Sequence, residues 1–300
     1  MKIIRNFFNF INFKSQLKNI IIFVPLALSN KDFEGFGPES FFYPLLIFFI
    51  ITNIVYITND FSDKKIDKKN KTKINIQNIH EIKASSIIAI NLSLLILFLL
   101  IYETVFFSIH LLIYIFSFYI YNFFTKKIKF IDTIFLTNFY LQRIFYGADI
   151  YDIEISNIFI IFFSTLFFIL SFSKRYTQIY LNKLTLKNKI ISYDMNDLKN
   201  LKYIIITLIF LNFLSLSIYL LQTNSFIKHF DFLFSYHSTL QINYNHYILS
   251  GLYVYCLVDL IFNLFKQYIN RDFYIYAIKS IKYTSIVFLF FIYTLLTKII

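Results

Sequence analysis

Apolar residues along this chain fall into long unbroken runs rather than at the three-and-four spacing of an amphipathic helix. About nine runs approach the ~20 residues that cross a bilayer core as a helix. They lie at roughly 15–29, 40–58, 84–101, 104–124, 130–148, 156–173, 203–221, 244–265 and 283–298, the first being the weakest by length. The pattern predicts an all-α, polytopic membrane protein of about nine transmembrane helices, with residues 1–300 as a single transmembrane domain. Very short polar breaks at Tyr102-Glu103 and at Lys126–Lys129 make the helices on either side antiparallel neighbours.

Composition agrees with the pattern: 58% of residues are hydrophobic, 15% are charged and mean hydropathy is +0.62. Soluble domains carry about one-quarter charged residues. The lone Cys256 sits inside an apolar run, which excludes a disulfide framework and thiolate metal sites. Lys2, Arg5, Lys14 and Lys18 precede the first run and no small-residue cleavage site follows it, so insertion by the first span is expected.

Charge sets the expected orientation. With the N-terminus in the cytoplasm, 25 of the 29 Lys and Arg residues fall on the cytoplasmic side. Only Lys31, Lys228 and Lys298 fall outside, and Arg143 lies within a span. The net charge of +12 is therefore a topological signature able to meet anionic lipid or substrate, not a nucleic-acid footprint. Localisation in the cell (inner) membrane is expected. Arg143 and Asp259 carry charge within spans, where it is costly and calls for a function, a partner or a route to the surface.

The second run ends in Asn59-Asp60-Phe61-Ser62-Asp63-Lys64-Lys65-Ile66-Asp67. At about 100° per helical residue, positions 60, 63 and 67 share one stripe. Three carboxylates beside the Asn59 amide form an all-oxygen set suited to Mg²⁺, which commonly links protein carboxylates to substrate phosphates. A solvated juxtamembrane loop, its aspartates balancing the lysines, is the plainer alternative. The five histidines show no metal-ligand spacing.

The pattern N-D-x-x-D-x-x-x-D after a second helix resembles the first aspartate-rich motif of the UbiA superfamily of intramembrane prenyltransferases. That resemblance implies nine helices around a central cavity, with the motif on the cytoplasmic side. The second aspartate-rich motif, expected after helix six, is replaced here by Ser173-Lys174-Arg175-Tyr176. This is similar to the decaprenyl-phosphate phosphoribosyltransferase branch. The branch's other marks are matched by Lys18-Asn19 with Pro25-Leu26, by Tyr121, Lys126 and Asp132, and by Arg143 with Gly147-Ala148. Agreement runs from about residue 14 to 200; past 220 there is none. Departures stand at Gln16, where an aromatic residue is expected, at Gln178, where an acid is, and at Asn70-Lys71 and Ile76-Gln77, where His-Pro and Arg-Pro are; Lys73 is retained.

The resemblance implies Mg²⁺-dependent transfer of a 5-phosphoribosyl group from phosphoribosyl pyrophosphate to a polyprenyl phosphate at the cytoplasmic face. It assigns Asp60, Asp63 and Asp67 to the metal, and Asp60, Asp63 and Lys126 to catalysis. Lys18, Asn59, Lys73, Tyr121, Arg143, Lys174, Arg175 and Tyr176 are assigned to substrate. The alternative is a UbiA-type prenyltransferase moving a prenyl group from prenyl diphosphate to an aromatic or other acceptor. A transporter fits less well, since few Gly or Pro interrupt the spans.

Overall fold

The computed structural model describes residues 16–29, 36–62, 109–185, 193–223, 244–266 and 280. The side chains of 57, 60–62, 181–185, 220–223 and 244–249 lie outside the description, as do the expected spans at 84–101 and 283–298. All regular structure among the described residues is helical. A 3₁₀ helix (Leu17–Phe23) runs into α1 (Val24–Leu28), followed by α2 (Pro38–Ser62) and α3 (Ile109–Phe123). A 3₁₀ turn (Thr125–Lys127) leads to α4 (Ile131–Ile150), and then come α5 (Asn157–Thr185), α6 (Asp197–Thr223) and α7 (Tyr244–Phe265). The chain divides into two compact units, residues 1–153 and 154–300.

Among the described residues, three helical segments are long and apolar enough to cross a membrane: Pro38–Tyr56, Asn157–Tyr180 and Asp197–Tyr219. Two expectations need correcting. The first run is mostly 3₁₀ rather than α, and with α1 its described residues reach about 21 Å, short of a bilayer core. The reason lies in its buried face: Gln16, Asn19, Ile22 and Pro25 recur every third residue, and only three residues per turn keep them aligned. The helix at 156–173 continues to Thr185, so Lys174, Arg175 and Tyr176 lie on α5 rather than after it. No Gly or Pro stands between Ser173 and Thr185 to stop the helix, so the first charges there do not mark its end.

In the first unit, α2 and α3 run parallel and α4 runs antiparallel to both. Lys126 Nζ, between α3 and α4, donates to Asn59 Oδ1 at the end of α2 (3.0 Å). At the other end, Tyr151 donates its hydroxyl to the Ser40 carbonyl (2.9 Å). Pro44 explains that bond: it has no N–H to give the carbonyl four residues back, and Tyr151 takes its place. Phe23, Phe36 and Phe41 close around the Tyr151 ring, with centroids at 6.4, 5.5 and 6.3 Å. Gly147 lets the 3₁₀ helix lie directly on α4, because a Cβ there would come within 1.8 Å of the Ile22 carbonyl oxygen. Ile22, Ile47, Phe48, Ile51, Tyr114 and Tyr146 fill the core between these elements.

In the second unit, Ile169, Phe172, Tyr176, Leu201, Ile205 and Leu260 form the core. Asn212, fully buried, ties three helices together. Its amide donates to the Phe162 carbonyl and to Thr165 Oγ1 (2.9 Å each), and Tyr253 donates to its Oδ1 (2.6 Å).

Candidate functional site

Arg143 is 2% exposed, so it does not reach toward water. From the middle of α4 its Nε donates to Asn19 Oδ1 (3.0 Å) and its Nη2 to the Tyr114 hydroxyl (3.0 Å). Its Nη1 donates to the Phe139 carbonyl, a turn back in its own helix. The rings of Phe48, Tyr114 and Tyr140 surround the guanidinium at 5.3, 5.1 and 5.7 Å from its carbon, the distance at which a ring face attracts a cation. Asn19 donates to Gln16 Oε1 (2.8 Å) and to Thr52 Oγ1 (3.1 Å), and Thr52 lies 2.6 Å from Gln16 Oε1. Four separate stretches of chain, the 3₁₀ helix, α2, α3 and α4, thus build one polar cluster inside an apolar unit.

Two features make this cluster unlike ordinary helix-to-helix bonding. Among the described residues its cation meets only neutral acceptors, although a buried charge ordinarily needs an opposite charge beside it. Gln16 Nε2, sealed from solvent, donates to nothing. A cation and an unused donor together suit an anion. The close approach at Gly147 sets the geometry: Gly147 lies one turn beyond Arg143, and Ile22 one turn beyond Asn19, so docking one pair brings the other within bonding distance.

The other expected residues divide as follows. Asn59 and Lys126 are brought together, as noted. Lys18, half-buried, points its ammonium at the Tyr140 ring (5.8 Å), which also flanks Arg143. Tyr121 is buried edge-on against Phe139 (5.6 Å). Asp60 lies in the last turn of α2, its side chain outside the description; Asp63, Asp67 and Lys73 lie outside the described residues. In the second unit, Arg175 is buried and donates to Gln178 (2.6 Å), so the glutamine occupies the place where an acid was expected. Lys174 is half-buried, and Tyr176 packs edge-on against Phe265 (5.6 Å). Among the described residues no group of three or more His, Cys, Asp or Glu is placed to hold a metal ion.

Sequence reasoning did not assign Gln16, Thr52 or Tyr114 to the site, and used Asn19 only as a family mark. The one available signal was the pair of polar residues three apart, Gln16 and Asn19, inside an otherwise apolar run.

No protein-family model matches the chain, and no curated protein matches it. Among solved structures, digeranylgeranylglyceryl phosphate synthase in membranes superposes with a TM-score of 0.58 at 17% identity, over 98% of this chain and 99% of that one. That synthase is a UbiA-type prenyltransferase. The apolar helices and this likeness together identify an integral membrane protein with a UbiA-type fold.

Proposed function

We propose that the protein is a membrane transferase joining a phosphorylated donor to an isoprenoid lipid, and that it moves a 5-phosphoribosyl group from phosphoribosyl pyrophosphate to a polyprenyl phosphate. The observation that carries the reading is the set of cations where a prenyltransferase is expected to hold a second acidic cluster. Those cations are Lys174 and Arg175, on α5; separately, in the first unit, Arg143 is buried among neutral acceptors. Such residues suit two polyanionic substrates. The N-terminus and the donor site are placed on the cytoplasmic side, following the charge distribution.

In this reaction a lipid phosphate oxygen bonds to C1 of the ribose, and the bond from C1 to pyrophosphate breaks. A phosphate monoester is already nucleophilic at neutral pH, so positioning and charge neutralisation suffice. Asp60 follows Asn59 in the last turn of α2, Asn59 Oδ1 accepts from Lys126 Nζ, and the carboxylates of this stretch are hard oxygen ligands of the kind magnesium takes. Asp60, Asp63 and Asp67 would hold the ion, which when bound supplies charge to stabilise the pyrophosphate leaving group. Lys126 holds Asn59 in place and, with Lys73, screens the donor's phosphates. Lys18 and Arg143 serve the anionic end of a substrate in the first unit, and Lys174, Arg175 and Tyr176 do so in the second; Tyr121, matched through the family pattern, is buried against Phe139.

A second reading, prenyl transfer from a prenyl diphosphate to an aromatic or other acceptor, is favoured by the structural likeness to a prenyltransferase. Transfer assays with magnesium on Asp60→Ala and Asp63→Ala test the shared part of both readings. Each variant is expected to lose at least about a hundredfold in rate, by analogy with loss of other electrostatic stabilisers. Activity that survives both changes contradicts the metal assignment.

A further inference from the structure

The corner between α3 and α4 carries two anomalies that the mechanism above does not use. Five threonines in these helices bond backward along their own helix. Thr58, Thr133, Thr165, Thr177 and Thr207 each place a hydroxyl on a carbonyl three or four residues earlier, at 2.6 to 3.0 Å. Thr125 does not. Its hydroxyl is sealed from solvent and has no partner. The chain leaves α-helical geometry at Phe124 (φ −117°, ψ −53°) and tightens into the 3₁₀ turn that holds Lys126 against Asn59.

Five residues on, Phe130 adopts φ 65° and ψ −40°, a left-handed conformation costly for a bulky residue. The Ile131 N–H bonds to the Lys129 carbonyl across it (2.8 Å), a tight γ-turn of the rare kind. The Phe130 carbonyl then accepts from the Thr133 and Ile134 N–H groups, fixing the start of α4. Strain of this sort persists only where surrounding structure enforces it, and a sealed hydroxyl without a partner has the same character.

We propose that Thr125 is a donor-binding residue, its hydroxyl kept for an oxygen of the phosphorylated donor, and that Phe130 is a positioning residue for the corner presenting it. The proposal rests on the reading of Asn59 and Lys126 as part of the donor site, because Thr125 adjoins Lys126. The oxygen belongs either to the diphosphate or to a hydroxyl of the donor sugar. Only the second source separates a phosphoribosyl donor from a prenyl diphosphate, which has no hydroxyl.

The test uses the full chain in lipid nanodiscs with magnesium, following thermal midpoints as inorganic pyrophosphate or phosphoribosyl pyrophosphate is titrated. Thr125→Val keeps the shape and removes the hydroxyl. Without ligand it is expected to melt at or above the wild-type temperature, since an unbonded buried hydroxyl contributes nothing. It is also expected to need about tenfold more ligand for the half-maximal shift. Loss with both ligands assigns the bond to the diphosphate; loss with phosphoribosyl pyrophosphate alone assigns it to the sugar. Phe130→Gly, which relieves the turn, is expected to keep its melting temperature while losing affinity similarly. Unchanged titrations in Thr125→Val, or a fall in its ligand-free midpoint, overturn this inference alone. A wild-type protein that shifts with neither ligand overturns the proposed function, and the inference with it.

Discussion

Two buried polar clusters, one in each unit, are built from similar side chains to opposite ends. Around Asn212 each bond is closed: the amide gives two hydrogen bonds, its oxygen receives one, and no charge is involved. Around Arg143 there is a full charge, acceptors that are all neutral, and a Gln16 nitrogen with nothing to donate to. A closed neutral cluster fastens helices, whereas an open charged one carries a cost that an anionic ligand removes on arrival. The difference assigns stability to the second cluster and binding to the first.

The comparison breaks most sharply at Arg143. Arg143→Met should lower transfer by about a hundredfold or more, as loss of charge-assisted bonds worth 1.5–3 kcal/mol each would dictate. Because the change also leaves the buried Asn19 Oδ1 without its donor, the melting temperature should fall as well, by what a loss of about 1–3 kcal/mol implies. Steady-state kinetics and a melting curve on one preparation check both halves; equal activity would make the first cluster mere fastening.

Gly147→Ala comes next. A methyl group there meets the Ile22 carbonyl, so the 3₁₀ helix must lift from α4, at about 1–3 kcal/mol. Asn19 moves with it, so affinity and stability should fall together in denaturant titrations and binding assays.

Asn212→Leu should give the smallest effect. Hydrogen bonds between membrane helices average about 0.6 kcal/mol, so a stability loss near 1 kcal/mol is expected with turnover unchanged. A large loss of turnover would erase the distinction between the clusters.

Much of the fold was legible because apolar runs report membrane helices directly. The runs at 40–58, 130–148 and 244–265 correspond to α2, α4 and α7 within a few residues. The 3₁₀ helix was not legible, because periods of 3.0 and 3.6 residues are hard to separate over so short a segment. Nor was the continuation of α5: Lys174 is the first charge after the apolar run and reads as its end, while the helix stays apolar enough to cross a membrane as far as Tyr180 and runs on to Thr185. Of the site, Arg143 stood out because a charge inside a span is rare, and Lys126 and Asn59 were found through their motifs. Gln16, Thr52 and Tyr114 are neutral residues of ordinary types, and only the folded chain brings them to Asn19 and Arg143. Gln16 and Gln178 departed from the expected pattern, and each proves to be bonded to the residue beside which it stands, Asn19 and Arg175 respectively.

The most direct measurement supplies membranes containing the protein with magnesium, a polyprenyl phosphate and phosphoribosyl pyrophosphate labelled in the ribose. A parallel reaction receives labelled prenyl diphosphate with an aromatic acceptor. The account predicts ribose label in the lipid phase and none of it with Arg143→Met. Transfer from the prenyl diphosphate alone would contradict it, and would mean that the cations on α5 and around Arg143 serve a different pair of substrates.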